Sequence, residues 1–174
     1  MKPMEVKEAE RLLQRHGIAE PPVPVEHIAV AEGVQIARNH FSGSESGCAL
    51  RNGHARMIGV NTATGHRRQR FTIAHELGHL LLHEGKPIIV DHSVRINRRD
   101  GRSSLGTDHE EIQANSFAAE LLMPREMVVR RVIASLDEGG VTRDQLIARL
   151  SREFDVSGEA IGYRLINLGI LAAS

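Results

Sequence analysis

Residues 70–83 read RFTIAHELGHLLLH, and the fold is decided by how this stretch must wind. Phe71, Ala74, Leu77, Gly78, Leu81 and Leu82 recur at intervals of three and four, which predicts a helix from Arg67 to His83 with an apolar side. Side chains four apart share a face, so His75 and His79 project together about one turn apart, with Glu76 beside them. Two imidazoles and a carboxylate in this HExxH spacing suit a hydrolytic zinc site. The imidazoles hold the ion, the ion lowers the pKa of a water to about 7, and the carboxylate takes that water's proton. Gly78 leaves room for a second backbone to pack closely beneath the motif. His83 repeats the four-residue step but lies about 12 Å from His75, too far to share an ion bound at about 2 Å. A supporting or packing role is expected of it.

A catalytic zinc keeps three protein ligands and one open position, so a third donor must come from elsewhere. The tri-histidine continuation HExxHxxGxxH is absent, because Leu82 and Gly85 stand where it needs Gly and His. A carboxylate on a later helix is the remaining choice. The segment HEEIQANSFAAELLMP, residues 109–124, offers Glu110, Glu111 and Glu120. Glu111 shares a helix face with Asn115, Ala118 and Leu122, whereas Glu110 adjoins Ala114, Phe117 and Leu121. Both acids border apolar positions, so periodicity does not choose between them. His92 and His109 flank the motifs, but nothing in their spacing requires either as a ligand.

Outward from these motifs, Glu5–His16 and Val25–Glu32 are expected as helices closed by Gly17 and Gly33, with the Pro21–Pro24 run between them. Between Val34 and Asn61 the pattern shortens to VQIAR, GCALR and ARMIGVN, separated by turn residues. These predict strands of a small, mostly antiparallel sheet, with Asn52–Gly53 as a hairpin turn. Gly85–Thr107 is polar and basic and reads as a loop joining the two motif helices, the second expected from Asp108 to Met123. A further helical stretch ends near Leu136, and after DEGG two short helices, Thr142–Phe154 and Ser157–Leu168, are expected. The fold class is therefore α+β, a zincin-like arrangement of small sheet and helices with HExxH on the central helix. The division expected is a catalytic domain over 1–136 and a helix-turn-helix-like segment over 137–174.

Composition excludes several classes. With 41% hydrophobic and 25% charged residues the chain has the balance of a globular protein, not a disordered one. Aromatics are only 3%, with Tyr163 the single tyrosine, so the core must rest on aliphatic residues. No run approaches the roughly 20 apolar residues of a membrane span, and the start MKPMEVKEAERLL is charged throughout, so an unsecreted, cytoplasmic protein with no membrane partner is expected. The lone Cys48, expected as a small buried residue on a strand, fits a reducing compartment. Lys plus Arg and Asp plus Glu are equal at 22 each, which argues against a general polycation for nucleic acid. The charge is nonetheless segregated: residues 51–102 carry ten basic against four acidic side chains, and 103–174 seven against eleven.

RFTIAHELGHLLLH, followed after a loop by ExxAN-x-FAAELLMP, resembles the ImmA/IrrE family of bacterial and phage metallopeptidases, with agreement from about residue 5 to 135. The tail REFDVSGEAIGYRLINLG is similar to the helical segment that closes many members. By position, the resemblance implies His75, His79 and Glu111 as metal ligands, Glu76 as the catalytic glutamate and Asn115 as a partner to the ligands. Where a second acid often stands, this chain has Gln113, a departure not expected to affect catalysis. The resemblance also implies cleavage of a helix-turn-helix repressor, with release of mobile-element or stress-response genes.

Three readings follow. The first is a zinc endopeptidase for one protein partner, with manganese or iron as other occupants of such a site. The second is a DNA-binding regulator using the C-terminal helices. Its candidate recognition helix offers Glu159, Tyr163, Arg164 and Asn167, a poor set for phosphates and bases. The loop residues Arg95, Arg98, Arg99 and Arg102 are better candidates for such contacts, although a run of this kind is more often a solvated loop; beside the cleft they are expected to hold an acidic segment of a partner protein. The third is a non-catalytic metal module, against which Glu76 argues, since a structural site needs no base. Tyr163, the histidines and the loop arginines are candidates for stabilising the oxyanion.

Overall fold

The computed structural model describes residues 2–83, 88–90, 105–137 and 139–172. His92 and the loop residues Arg95, Arg98, Arg99 and Arg102 lie outside them.

Two helices open the chain, α1 (Met4–Arg15) and α2 (Val25–Ala31). Ala9, Leu12 and Leu13 form the buried stripe of α1, and Gly17 follows it at φ 64, a conformation that costs glycine little. Three strands come next: β1 (Val34–Asn39), β2 (Gly47–Asn52) and β3 (Ala55–Asn61). β2 and β3 form an antiparallel hairpin whose last pair is Asn52 with Ala55. The turn is therefore Gly53–His54, one residue later than Asn52–Gly53, because Gly53 takes the positive φ of 57 at its first central position.

β1 pairs parallel to β3, and β4 (Ile88–Val90) pairs antiparallel to β2, giving the order β1-β3-β2-β4. The sheet is thus mixed, with two of its three pairings antiparallel. β4 falls inside the stretch expected as a loop; three residues are too few for alternation to register as a strand signal.

The centre of the molecule is α3 (His66–Leu82), which packs on β2 and β3 from one side and on α4 (Leu105–Leu122) from another. Every residue from Phe71 to Leu80 is buried, so the helix is enclosed all round and is not merely amphipathic. Ala49, Ile58 and Val60 of the sheet share one core with Ile73 and Leu77 of α3 and Phe117, Ala118 and Leu121 of α4. Arg51 of β2 donates to the carbonyls of Leu80 and His83, satisfying acceptors that the end of α3 would otherwise leave open.

Three helices close the chain: α5 (Arg125–Asp137), α6 (Arg143–Phe154) and α7 (Gly158–Asn167). Thr142 and Gln145 form a capping box at the start of α6, and the Ser157 side chain accepts from Ala160 N at the start of α7. Leu146, Leu150, Phe154, Ile161 and Leu165 join the core already described. Among the described residues no helix is long and apolar enough to cross a membrane.

Candidate metal centre

The buried interior of α3 contains four polar side chains, Thr72, His75, Glu76 and His79. Groups of this kind are costly away from water unless something engages them. His75 is 0% exposed, Glu76 0% and His79 1%. The helical step stacks the histidines as a ladder, with ring centroids 4.7 Å apart for His75–His79 and 5.1 Å for His79–His83.

The close packing that Gly78 allows brings α4 onto this ladder. A Cβ at Gly78 would lie 3.3 Å from Ala114 Cα and 2.9 Å from the Phe117 ring. At that separation Glu111, about one turn before Ala114, reaches both His75 and His79. Its Oε2 is 3.3 Å from His75 Nε2, its Oε1 is 3.1 Å from His79 Nε2, and the two Nε2 atoms are 3.1 Å apart. Bonds of 2.0–2.1 Å to a tetrahedral ion imply donor separations of about 3.3 Å, so the two imidazole nitrogens and the carboxylate, one oxygen towards each ring, stand at the spacing of zinc ligands.

Tautomer chemistry agrees with that fit. Asn115 Oδ1 can only accept, and it stands 3.1 Å from His75 Nδ1, so Nδ1–H donates and the Nε2 lone pair faces Glu111 and His79. Lone pairs and a carboxylate crowded together need a cation between them. His75, His79 and Glu111 are the group among the described residues that can hold a metal ion.

The geometry thus separates Glu111 from Glu110, a choice that periodicity left open. His83 is outside the triad; its Nδ1 lies 3.1 Å from His79 Nδ1 and its Nε2 lies 3.1 Å from Gln113 Oε1. His109 is exposed. Glu120 is committed elsewhere, to Arg164 and to the backbone N–H of Arg125. Gln113 thus ends the histidine ladder, a contact that the sequence pattern does not single out.

Glu76 faces the start of β2. A Cβ at Gly47 would come within 3.8 Å of Glu76 Cγ, and within 2.3 Å of Thr72 Cγ2, so only glycine lets the strand pass this close to α3. Cys48, half-buried where full burial was expected, has its thiol pushed up by burial and by the Glu76 charge. Gly47 and Cys48 also line a cleft of about 380 Å³ with His40, Phe41, Gly43 and Glu45. Open space therefore adjoins the strand against which Glu76 packs.

The sequence model of a peptidase family, described as the IrrE N-terminal-like domain, matches residues 31–166, a span that includes both motif helices. Among solved structures, a Mycobacterium tuberculosis transcriptional regulator superposes with a TM-score of 0.61 at 17% identity, over 93% of this chain and 46% of its own. At that identity the likeness is one of fold, and this chain spans less than half the length of that neighbour. No curated protein matches the sequence.

Proposed function

Because the chain belongs to the peptidase family of the IrrE N-terminal-like domain, we propose that it is a zinc-dependent endopeptidase that cuts one protein partner, a helix-turn-helix repressor. The observation that carries the reading is the cluster of His75 Nε2, His79 Nε2 and the two carboxylate oxygens of Glu111, with contacts of 3.1–3.3 Å, on the same helix pair as buried Glu76. His75, His79 and Glu111 would hold the ion. Zinc is the first choice for two imidazoles and a carboxylate, with manganese or iron as alternatives.

When bound, such an ion supplies Lewis acidity that acidifies water and polarises a carbonyl. The chain supplies the rest. Glu76 accepts the proton of the attacking water and returns it to the departing amine. Its burial beside Gly47 and Cys48 keeps bulk water from competing for that proton. Asn115 holds the His75 ring in the tautomer that presents Nε2.

The repressor, and a role for the chain in mobile-element or stress-response control, come from the family resemblance. A cytoplasmic setting is proposed with them, consistent with a single half-buried cysteine. We also propose the division into residues 1–136 for catalysis and 137–174 for partner recognition, with Arg95, Arg98, Arg99 and Arg102 holding an acidic segment of the partner.

The DNA-binding reading is kept because the solved neighbour is a transcriptional regulator. One observation weighs against it: the Arg164 guanidinium is taken up by Glu120 and by the Met123 carbonyl, so it is not offered to phosphate. Incubation with the repressor encoded by an adjacent reading frame tests both. Cleavage that a chelator stops and zinc restores is the expected result. A salt-dependent mobility shift on DNA without any cleavage would replace the peptidase with the regulator.

A further inference from the structure

His83 is 8% exposed and sits behind His79, away from the triad. A buried imidazole with both nitrogens in contact has its tautomer dictated by its neighbours, and here one end of the chain of contacts is unambiguous. Gln113 Oε1 can only accept, so His83 Nε2 carries a hydrogen and donates to it across 3.1 Å. Neutral His83 then has a lone pair on Nδ1. The atom facing that lone pair at 3.1 Å is His79 Nδ1, which must be the donor. His79 is thereby left with its lone pair on Nε2, the atom in the metal-binding triangle.

We propose that His83 and Gln113 are positioning residues: a relay from α4 back to α3 that sets the tautomer and orientation of His79 and so the strength with which the triad takes a metal. The proposal rests on the metal-centre reading and extends it to two residues beyond the ligands. It runs against the expectation that Gln113 is a departure without effect on catalysis, and the test below decides between them. Helix α4 supplies the support for both imidazoles, Asn115 directly to His75 and Gln113 through His83 to His79. Supporting hydrogen bonds of this kind are worth about 10–100-fold in metal affinity. A carboxylate at the end of the relay would make a charge-assisted bond, stronger than that of the amide. This chain has the weaker terminator, so it has affinity to gain.

The test is zinc affinity of the metal-free full chain, measured by competition with a chromophoric chelator, with the visible spectrum of the cobalt-loaded protein as a second readout. Gln113→Leu and His83→Phe should each lose about 10-fold or more and alter the cobalt bands. Gln113→Glu should bind at least as tightly as the wild type. Gln113 is only half-buried, so its variants retain the fold should His83→Phe not. A wild type that binds zinc, with Gln113→Leu binding equally well, would sink the relay alone. Equal weakening by Gln113→Leu and Gln113→Glu would reduce Gln113 to a packing residue. A wild type that takes no zinc would remove the metal centre and the relay together.

Discussion

Arg164 of α7 and Glu120 of α4 form an ion pair with side-chain exposures of 10% and 5%. Each partner is used twice: Arg164 Nε donates to the Met123 carbonyl at 2.9 Å, and Glu120 Oε1 accepts from Arg125 N at 3.0 Å. The pair thus ties the last helix to the junction of α4 and α5. Removing one member strands the other charge, which costs about 3–5 kcal/mol. Glu120→Ala should lower the urea midpoint accordingly, and Glu120→Gln combined with Arg164→Met should recover most of the loss. A single-variant cost under 1 kcal/mol would show that the pair contributes no more than a surface contact.

Glu76, which follows His75 on α3, and Glu111, which contacts both imidazoles, are both carboxylates, but their variants should separate binding from chemistry. Glu76→Gln preserves shape and removes the proton acceptor, so metal content should persist while cleavage falls by at least about 100-fold. Glu111→Ala removes a donor and should strip the metal, whereas Glu110→Ala should leave it. Metal analysis of the three purified variants, alongside a cleavage assay, checks this. The reverse pattern at 110 and 111 would refute the triangle.

Much of this site was legible because its parts are local. HExxH places two imidazoles and a carboxylate within five residues, and the step of four that aligns His75 with His79 belongs to any α-helix. What was not legible depends on partners distant in sequence. Whether Glu110 or Glu111 meets the imidazoles is decided by how α4 crosses α3, and both acids border apolar positions. The parallel pairing of β1 with β3 likewise depends on which edge is free after the hairpin forms. The contact of Gln113 with His83 also depends on how α4 crosses α3.

Asp155 lies in the left-handed region at φ 51 and faces the first turns of α3, with His66 Nε2 at 2.8 Å, Arg67 Nε at 3.4 Å and Arg70 Nε at 3.3 Å. Burial pushes its carboxyl up, but the His66 hydrogen bond, the charges of Arg70 and His66, and the Arg67 hydrogen bond outweigh that and lower it. A depressed folded-state pKa contributes stability that is complete above the ordinary value near 3.8 and is lost as pH falls through the folded value. Asp155→Asn, which tolerates the same φ, should be about 1 kcal/mol less stable at pH 7. The two stability curves should converge towards pH 2. A gap that persists there would mean that the amide disturbs packing and not charge.

Gly78 tests whether helix spacing sets the metal site. In an isolated helix alanine would be favoured over glycine by about 1 kcal/mol. Here the added methyl meets two different neighbours: the Phe117 ring at 2.9 Å, which can rotate, and the Ala114 Cα at 3.3 Å, which moves only with α4. Overpacking a tight interior costs about 1–3 kcal/mol, so the net change in stability should be small, between zero and about 2 kcal/mol of loss. Metal affinity should respond more than stability does. Ala114 adjoins Asn115 and lies about one turn from Glu111, so any outward shift of α4 lengthens contacts that now stand at 3.1–3.3 Å. Gly78→Ala should therefore weaken zinc binding by about 10-fold, the scale expected when support to a ligand is disturbed. Adding Phe117→Leu relieves the ring contact but not the backbone contact. Zinc affinity should stay low in that double variant, and full recovery would place the constraint in the Phe117 ring and not in the spacing of α3 and α4.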